Sequence, residues 1–254
     1  SAFFFNRVRC ETLRDKPSKA RIQAYTNGWL GILAPELFDY TLPTGENRTY
    51  HPSCSCGPVL DPVTGEITPA KAQYSFYFKP GREKKKLLVY LAGGGMCHNS
   101  YLCIGSPLNG ESTYTREVAN SIEDKLNQGI FDDEKSDNTF RDYNKLYVPY
   151  CSGDFFSGSR DTEYVFGSSK WTIRHRGIDN VLSAFHWLSN DAKHEAEFDP
   201  SAVENLVLVG SSAGGFGIPF VFPYLAELVP NEATINLISD GAIVAETEGF
   251  MKTA

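Results

Sequence analysis

The sequence predicts an α/β fold in which a mostly parallel sheet is flanked by helices. Strand-like apolar runs alternate with helix-like segments, and three of these runs end in loops rich in glycine or polar residues. Such alternation is typical of a parallel sheet with helices on both faces. Sites in these sheets form beyond the carboxyl ends of the strands, so the three loops are where chemistry is expected.

Residues 1–70 are rich in Pro, Gly and Thr, and we expect them to form an irregular or short-stranded wrapping segment. Residues 71–254 are expected to form the N-terminal and central part of a single α/β domain, whose C-terminal strands are expected to be missing from this chain. Apolar or alternating runs predict strands in that domain. They lie at Tyr74–Phe78, Lys86–Leu91, Lys145–Pro149, Leu206–Val209 and Thr234–Ile238.

Three helices are predicted between these strands. Glu111–Asn127 has an amphipathic pattern, and a further helix should run from the end of the fourth strand to about Leu228. The strongest pattern belongs to Trp171–Asn190, because apolar residues recur there at intervals of three or four positions.

Charge and hydropathy exclude several functional classes. The formal net charge is −7 and no long basic run is present, which argues against a nucleic-acid partner. No apolar run approaches the roughly 20 residues that a membrane-spanning helix needs. The chain begins at Ser1 without a basic and apolar leader, so we expect any signal peptide to have been removed or left out.

The six cysteines form an even set without a C-x-x-C pair. This favours three disulfides in an exported protein, extracellular or periplasmic, over structural thiols in a cytosolic enzyme. The six are Cys10, Cys54, Cys56, Cys97, Cys103 and Cys151.

The most informative stretch is the fourth strand and its continuation, Gly210-Ser211-Ser212-Ala213-Gly214. A strand that enters a Gly-x-Ser-x-Gly pattern is typical of the nucleophile elbow of α/β-hydrolases, a sharp turn into a helix that exposes a serine. Ser212 is the predicted nucleophile, and the amide of Ala213 is free to donate to a developing oxyanion. An ordinary glycine-rich loop after a buried strand is the alternative.

Two further loops are expected to adjoin the elbow. Gly93-Gly94-Gly95-Met96-Cys97-His98 follows the second strand, from which hydrolases of this class donate the second half of the oxyanion hole. A phosphate-binding loop is disfavoured because the G-x-x-x-x-G-K spacing is absent. The other loop, Tyr150-Cys151-Ser152-Gly153-Asp154, follows the third strand. Together the three loops predict the active-site entrance of a hydrolase.

In this order, the three motifs resemble the pectin acetylesterase/Notum family of secreted α/β-hydrolase-fold carboxylesterases. The resemblance extends from about Cys54 to Asp240. It implies that Ser212 is the nucleophile and that the amides of Gly94, Gly95 and Ala213 form the oxyanion hole. It departs from Notum at Gly95, where Notum has a pocket tryptophan.

The resemblance also implies disulfide pairings. Cys97 would pair with Cys103, and Cys151 would pair with either Cys54 or Cys56.

A serine nucleophile needs a proton acceptor, and in this fold the histidine follows the serine and the acid in the chain. All of the histidines precede Ser212. The first explanation is that the chain is one piece of a longer protein, with the triad histidine and acid elsewhere, on a continuing chain or a second polypeptide. The others are that His98 acts as an unusual base, or that the protein is a non-catalytic relative.

The remaining candidates have lesser predicted roles. Asp240 ends a strand after Ser212 and is a candidate triad acid, although the family pattern places the acid later. Met96 and His98 are candidate pocket residues, and Asp154 is a candidate pocket residue or a loop organiser that accepts backbone N–H bonds. His175 and His194, among charged residues, are expected to be solvated, and His186 to be structural. We predict no metal site and no cofactor.

These features predict a secreted serine carboxylesterase that hydrolyses O-acetyl or short O-acyl esters, on glycans, through an acyl-enzyme. A polyester depolymerase with the same machinery is one alternative. A binding or structural protein that retains the hydrolase fold is another.

Overall fold

The computed structural model describes residues 6–8, 19–24, 26–111, 113–118, 122 and 124–242. Its strands are β1 (Asn6–Val8), β2 (Arg21–Ala24), β3 (Leu30–Leu33), β4 (Phe38–Thr41), β5 (Asn47–Tyr50), β6 (Pro58–Leu60), β7 (Ile67–Pro69), β8 (Ser75–Lys79), β9 (Glu83–Leu91), β10 (Tyr143–Val148), β11 (Arg160–Phe166), β12 (Ser169–His175), β13 (Asn205–Ser211) and β14 (Thr234–Asp240). Its α-helices are α1 (Ser106–Leu108), α2 (Gly177–Asn190), α3 (Ala192–Glu195) and α4 (Ala213–Ala226). Short 3₁₀ turns lie at Thr26–Gly28, Lys125–Asn127, Gly129–Phe131 and Pro200–Ala202, and a π-helical turn at Tyr101–Gly105.

A seven-stranded sheet organises the chain, in the order β14-β13-β9-β10-β8-β3-β2. The four strands from β14 to β10 are mutually parallel, whereas β8 and β2 run against their neighbours. This confirms the predicted α/β class with a mostly parallel sheet. The five predicted strands are all present, with ends that differ by a few residues.

The core on one sheet face is a row of apolar residues in register across the strands. Leu208 lies beside Val89, which lies beside Leu146, which lies beside Phe78. Trp187 of α2 packs against Phe78 with ring centroids 5.3 Å apart, and α2 contacts α4. The two long helices therefore cover this face.

The opposite face carries an aromatic cluster. Tyr90 and Tyr147 stack with centroids 5.4 Å apart, and Phe131 packs edge-on against Tyr90 at 5.1 Å. In the described part of the chain, this face is covered by the 3₁₀ turn Gly129–Phe131 and not by an α-helix. The prediction of helices on both faces was wrong to that extent.

The helix predicted at Trp171–Asn190 begins only at Gly177. Residues before it form β12, in which Trp171, Ile173 and His175 are buried in alternation. Period-two burial of this kind is the signature of a strand, and β12 pairs along its whole length with β11.

The helix predicted at Glu111–Asn127 is also wrong. Among the described residues of that range, only Lys125–Asn127 is helical, as a 3₁₀ turn. The backbone at Thr113 and Thr115 instead pairs with the glycine-rich loop after β9, where the Thr115 amide donates to the Gly94 carbonyl at 3.1 Å. Tertiary pairing with that loop overrides the local helical pattern.

The first 70 residues contribute β2 and β3 to the central sheet, in addition to the separate hairpins β4-β5 and β6-β7. A disulfide between Cys54 and Cys151 ties this segment to the end of β10, with Cα atoms 5.0 Å apart. Cys97 pairs with Cys103, as the resemblance implied. Cys56 is also disulfide-bonded, and Cys10 lies outside the described residues.

Removing the disulfide of Cys54 and Cys151 by double alanine substitution is expected to lower the free energy of unfolding by about 4 kcal/mol, because it closes a long loop in the unfolded chain. The sequence separation is 97 residues for this pair and 6 for Cys97 and Cys103. Loss of the short-loop disulfide is therefore expected to cost about 2 kcal/mol. Urea denaturation of both variants of the full-length protein measures the difference. A larger loss for the short loop would contradict the loop-entropy explanation.

Among the described residues, no helix combines the length and apolarity that crossing a membrane requires.

Candidate active site

Ser212 occupies the junction between β13 and α4. Its backbone lies at φ 51° and ψ −116°, a region that non-glycine residues rarely adopt, and its side chain is exposed. Its amide donates to the carbonyl of Asp240 at 2.7 Å, which joins the turn to the end of β14. A strained residue that is held by its surroundings is often found at a functional site.

Close backbone packing explains why glycines flank this serine. A Cβ atom on Gly210 would collide with the backbone of Gly214. A Cβ atom on Gly214 would collide with the carbonyl oxygen of Leu91, the last residue of β9. The start of α4 therefore lies against the end of the neighbouring strand, and this contact brings the elbow to the glycine-rich loop.

Gly214→Ala is expected to lower the free energy of unfolding by about 3 kcal/mol, because the new methyl group meets rigid backbone. Gly167→Ala is a suitable control, since nothing lies within 4 Å of its Cβ position and its φ is +60°. That substitution should lower the free energy of unfolding by only about 1 kcal/mol, the cost of a side chain on a residue with positive φ. Denaturation of the two variants measures both values, and equal losses would show that the contact with Leu91 is not tight.

The loop at Gly93, Gly94 and Gly95 lies directly beside the serine. A Cβ atom on Gly93 would stand 3.1 Å from the Cβ of Ser212. The loop is fixed from outside, because the Met96 amide donates to the Thr113 carbonyl at 2.9 Å. Within the described residues, the amides of Gly94 and Gly95 donate to no acceptor. The loop thus has backbone donors to offer a ligand next to Ser212.

Asp154 organises the third loop. Its Oδ1 accepts from the Ser152 hydroxyl at 2.6 Å and from the Phe156 amide at 3.1 Å. Its Oδ2 accepts from the amides of Gly177 at 2.8 Å and Gly158 at 3.1 Å. Burial raises the pKa of Asp154, although these donors act to lower it. The carboxylate therefore holds the loop after β10 against the start of α2.

His175 is buried and not solvated, so that expectation was wrong. Its exposed fraction is 6%. Its Nδ1 is 2.9 Å from the Ser152 carbonyl and its Nε2 is 3.0 Å from the Tyr164 hydroxyl. It also lies beside Cys97 and Cys103. Because these two sulfurs form a disulfide, the cluster of His175, Cys97 and Cys103 has no thiolate that could bind a metal.

The other four histidines are within the described structure. His51 and His194 are exposed, and His186 stacks on Phe38 with centroids 5.2 Å apart. His98 is half-buried, with its Nε2 3.3 Å from the Asn99 side-chain nitrogen. In the part of the chain that the structure describes, no histidine is hydrogen-bonded to the Ser212 hydroxyl.

Burial lowers the pKa of His186. The unfolded chain therefore binds this proton more readily, so the stability that neutral His186 contributes is complete above about pH 6.5 and declines below it. As the pH falls from about 7.5 to 5.5, His186→Gln is expected to lose less free energy of unfolding than the wild type. His194→Gln is the control, because it makes the same substitution at an exposed histidine. Urea denaturation across this range measures the slopes, and a wild-type slope in His186→Gln would contradict the expectation.

The remaining candidates lie around the elbow. Asp240 is exposed and contacts Ser212 through its backbone carbonyl. Met96 is half-buried, and Ala213 is buried as the first residue of α4. The amide of a first helical residue lacks a partner within its own helix.

Sequence reasoning missed several residues that shape this site. Thr113 and Thr115 support the glycine-rich loop from a segment that had been predicted as a helix. Phe155 and Phe216 stack with centroids 4.9 Å apart beside the elbow. The aromatic pair Phe155-Phe156 next to Asp154 was visible in the sequence, but its partner on α4 could be found only in the fold.

Comparison with known proteins agrees with this geometry. A sequence profile of the pectinacetylesterase family matches residues 72–253. The chain belongs to this family. The matched range includes the glycine-rich loop, the Asp154 loop and the elbow.

Named relatives of this chain are esterases. It is 30% identical to pectin acetylesterase 5 of Arabidopsis thaliana, over 66% of this chain and 36% of the relative. It is 30% identical to the palmitoleoyl-protein carboxylesterase NOTUM of Schmidtea mediterranea, over 56% of this chain and 25% of the relative. Human NOTUM is 27% identical over 56% of this chain and 26% of that protein. The chain thus spans well under half the length of these relatives.

Proposed function

We propose that this chain carries the nucleophile and the oxyanion hole of a secreted serine carboxylesterase that removes acetyl groups from a glycan. The observation that carries the proposal is the position of Ser212, exposed in a left-handed conformation beside a loop with free backbone donors. The names of the relatives supply the reaction class, ester hydrolysis.

The strand order supports an α/β-hydrolase fold. From β3 through β8, β10, β9 and β13 to β14, only β8 runs antiparallel to the others. The proposed nucleophile then follows β13, in the interior of the sheet, at the end where ligands bind in parallel sheets.

In the proposed reaction, the Ser212 oxygen attacks the ester carbonyl. The negative charge that develops on the carbonyl oxygen is stabilised by the amides of Gly94, Gly95 and Ala213. Collapse of this intermediate expels the sugar hydroxyl and leaves an acetyl-serine, which water hydrolyses to acetate.

A base must accept the serine proton and return it to the leaving group. We place the histidine and its acid in the remaining part of a protein as long as the relatives, since no described histidine is hydrogen-bonded to the Ser212 hydroxyl. Asp240 remains the candidate acid within this chain.

Gly95 argues against a lipid pocket like that of Notum, because this chain has no tryptophan at that position. Its φ is +83°, and a Cβ atom there would collide with the Thr113 carbonyl. A side chain at this position would therefore require a different loop conformation. The cystines at Cys54–Cys151 and Cys97–Cys103 support secretion, because such bonds persist in oxidising compartments.

The test is a substrate comparison with the full-length protein. Acetate release from acetylated pectin, at a rate well above that of a heat-inactivated sample, is the expected result. A palmitoleoylated peptide and a solid polyester film are the comparison substrates. Faster hydrolysis of the film would favour a depolymerase, and no hydrolysis of any ester would favour a non-catalytic protein.

A further inference from the structure

Two phenylalanines form a stacked pair beside the elbow. The rings of Phe155 and Phe216 have centroids 4.9 Å apart and an interplanar angle of 29°. Both side chains are half-buried, so the pair presents part of its apolar surface to solvent. Phe155 comes from the loop after β10 and Phe216 from the first turns of α4. The pair therefore joins the loop after β10 to the helix that follows the elbow.

Phe216 lies one turn beyond the serine. Ser212 caps α4 with non-helical backbone angles, and the amide of Phe216 donates to the Ser212 carbonyl at 3.3 Å. This hydrogen bond holds the backbone of the aromatic pair within one turn of the proposed nucleophile.

The fold holds Phe155 in place at an energetic cost. Phe155 and Phe156 have φ values of 55° and 62°, and such left-handed conformations are unfavourable for bulky residues. The Phe155 amide donates to the Tyr150 hydroxyl at 2.9 Å, and Asp154 holds the Phe156 amide. A Cβ atom on Gly217 would stand 2.8 Å from the Phe156 ring, so this glycine makes room for the loop. Consecutive strained residues that are anchored in this way are a common feature of ligand-contacting loops.

We propose that Phe155 and Phe216 form a platform for the sugar ring that bears the ester, and so determine specificity for the alcohol side of the substrate. This inference rests on the proposed function. An acetyl group has only two carbons and is directed to the glycine-rich loop by its carbonyl oxygen. The larger part of the substrate is the sugar, and one face of a pyranose ring consists of C–H groups that pack well on an aromatic surface.

The test uses the full-length protein and two acetyl esters that differ only in the alcohol. One is an acetylated pectin oligosaccharide, and the other is vinyl acetate, whose alcohol part has no ring. Phe216→Ala and Phe155→Ala are expected to raise the KM for the oligosaccharide about tenfold, with kcat nearly unchanged. Their kcat/KM for vinyl acetate should stay within about twofold of the wild type.

Conservative variants and a distant control sharpen the result. Phe216→Tyr keeps the ring and should restore the wild-type KM, whereas Phe216→Leu keeps apolar volume without a flat ring and should not. Phe166→Ala removes a ring that is 37% exposed at the end of β11, and it should change the KM for neither substrate.

Two outcomes would overturn the proposal. These are unchanged KM values for the oligosaccharide in both alanine variants, or equal losses of kcat/KM on the two esters. Labelling of Ser212 by a small fluorophosphonate is measured in the wild type at the same time. Failure of that labelling would reject the proposed nucleophile, which is a different result from an unchanged KM in a protein that is labelled.

Discussion

If the proposed function is right, Ser212→Ala is expected to lower kcat/KM of the full-length protein by about 10⁴–10⁶-fold, the range found when a serine nucleophile is removed. The substitution deletes one exposed hydroxyl at the junction of β13 and α4. Alanine lacks the oxygen that we propose forms the acyl-enzyme, while the proposed oxyanion donors remain. Some residual hydrolysis by water is therefore expected. Initial rates on acetylated pectin measure the loss.

The neighbouring serine provides a matched control. Ser211 is the last residue of β13 and is half-buried. Ser211→Ala removes the same atom one position away and should leave kcat/KM within a few-fold of the wild type. A larger loss of kcat/KM in Ser211→Ala than in Ser212→Ala would indicate that Ser211 is the nucleophile and that Ser212 is not. Unfolding midpoints of both variants establish that the comparison is between folded proteins.

Asp154→Asn is expected to lower the free energy of unfolding by about 5 kcal/mol, because several buried donors lose a charged acceptor together. Asparagine offers one oxygen where aspartate offers two, and its NH₂ group would face amides that also donate. The amides affected include those of Gly158 and Gly177, on either side of the β11–β12 hairpin. Urea denaturation measures the loss.

Asp137→Asn is the control for this substitution. Asp137 is exposed, and the same change of charge there should alter stability by less than about 0.5 kcal/mol. A comparably small effect of Asp154→Asn would mean that the loop is held by other contacts. Because Asp154 also holds the amide of Phe156, the neighbour of Phe155, we expect the variant to lose activity on acetylated pectin as well.

The parts of the fold predicted correctly are those specified by contiguous sequence. The run Leu206–Val209 followed by Gly210 and Gly214 indicates a strand that turns sharply into a helix, because only glycine tolerates the backbone contact at those positions. The glycine-rich loop after β9 was predicted for the same reason. Its partners at Thr113 and Thr115 were not, since their pairing depends on tertiary contacts.

Two predictions were wrong for reasons that are partly visible in the sequence: the start of the long helix and the exposure of His175. The segment that includes Trp171, Ile173 and His175 alternates with period two, but the stronger helical period that follows it extended the predicted helix too far. His175 lies between Arg174 and Arg176 in the sequence, which suggested a solvated side chain. In the strand, however, alternate residues point to opposite faces, so the imidazole is buried while its charged neighbours are not.

The most direct test of the central claim is covalent labelling of the full-length protein with a fluorophosphonate, followed by proteolysis and mass spectrometry. A serine activated at the elbow should react once per molecule, and the adduct should map to the peptide that contains Ser212. The adduct should be absent from Ser212→Ala and present in Ser211→Ala. An unlabelled wild-type protein, or an adduct on another residue, would contradict the assignment of Ser212 as the nucleophile.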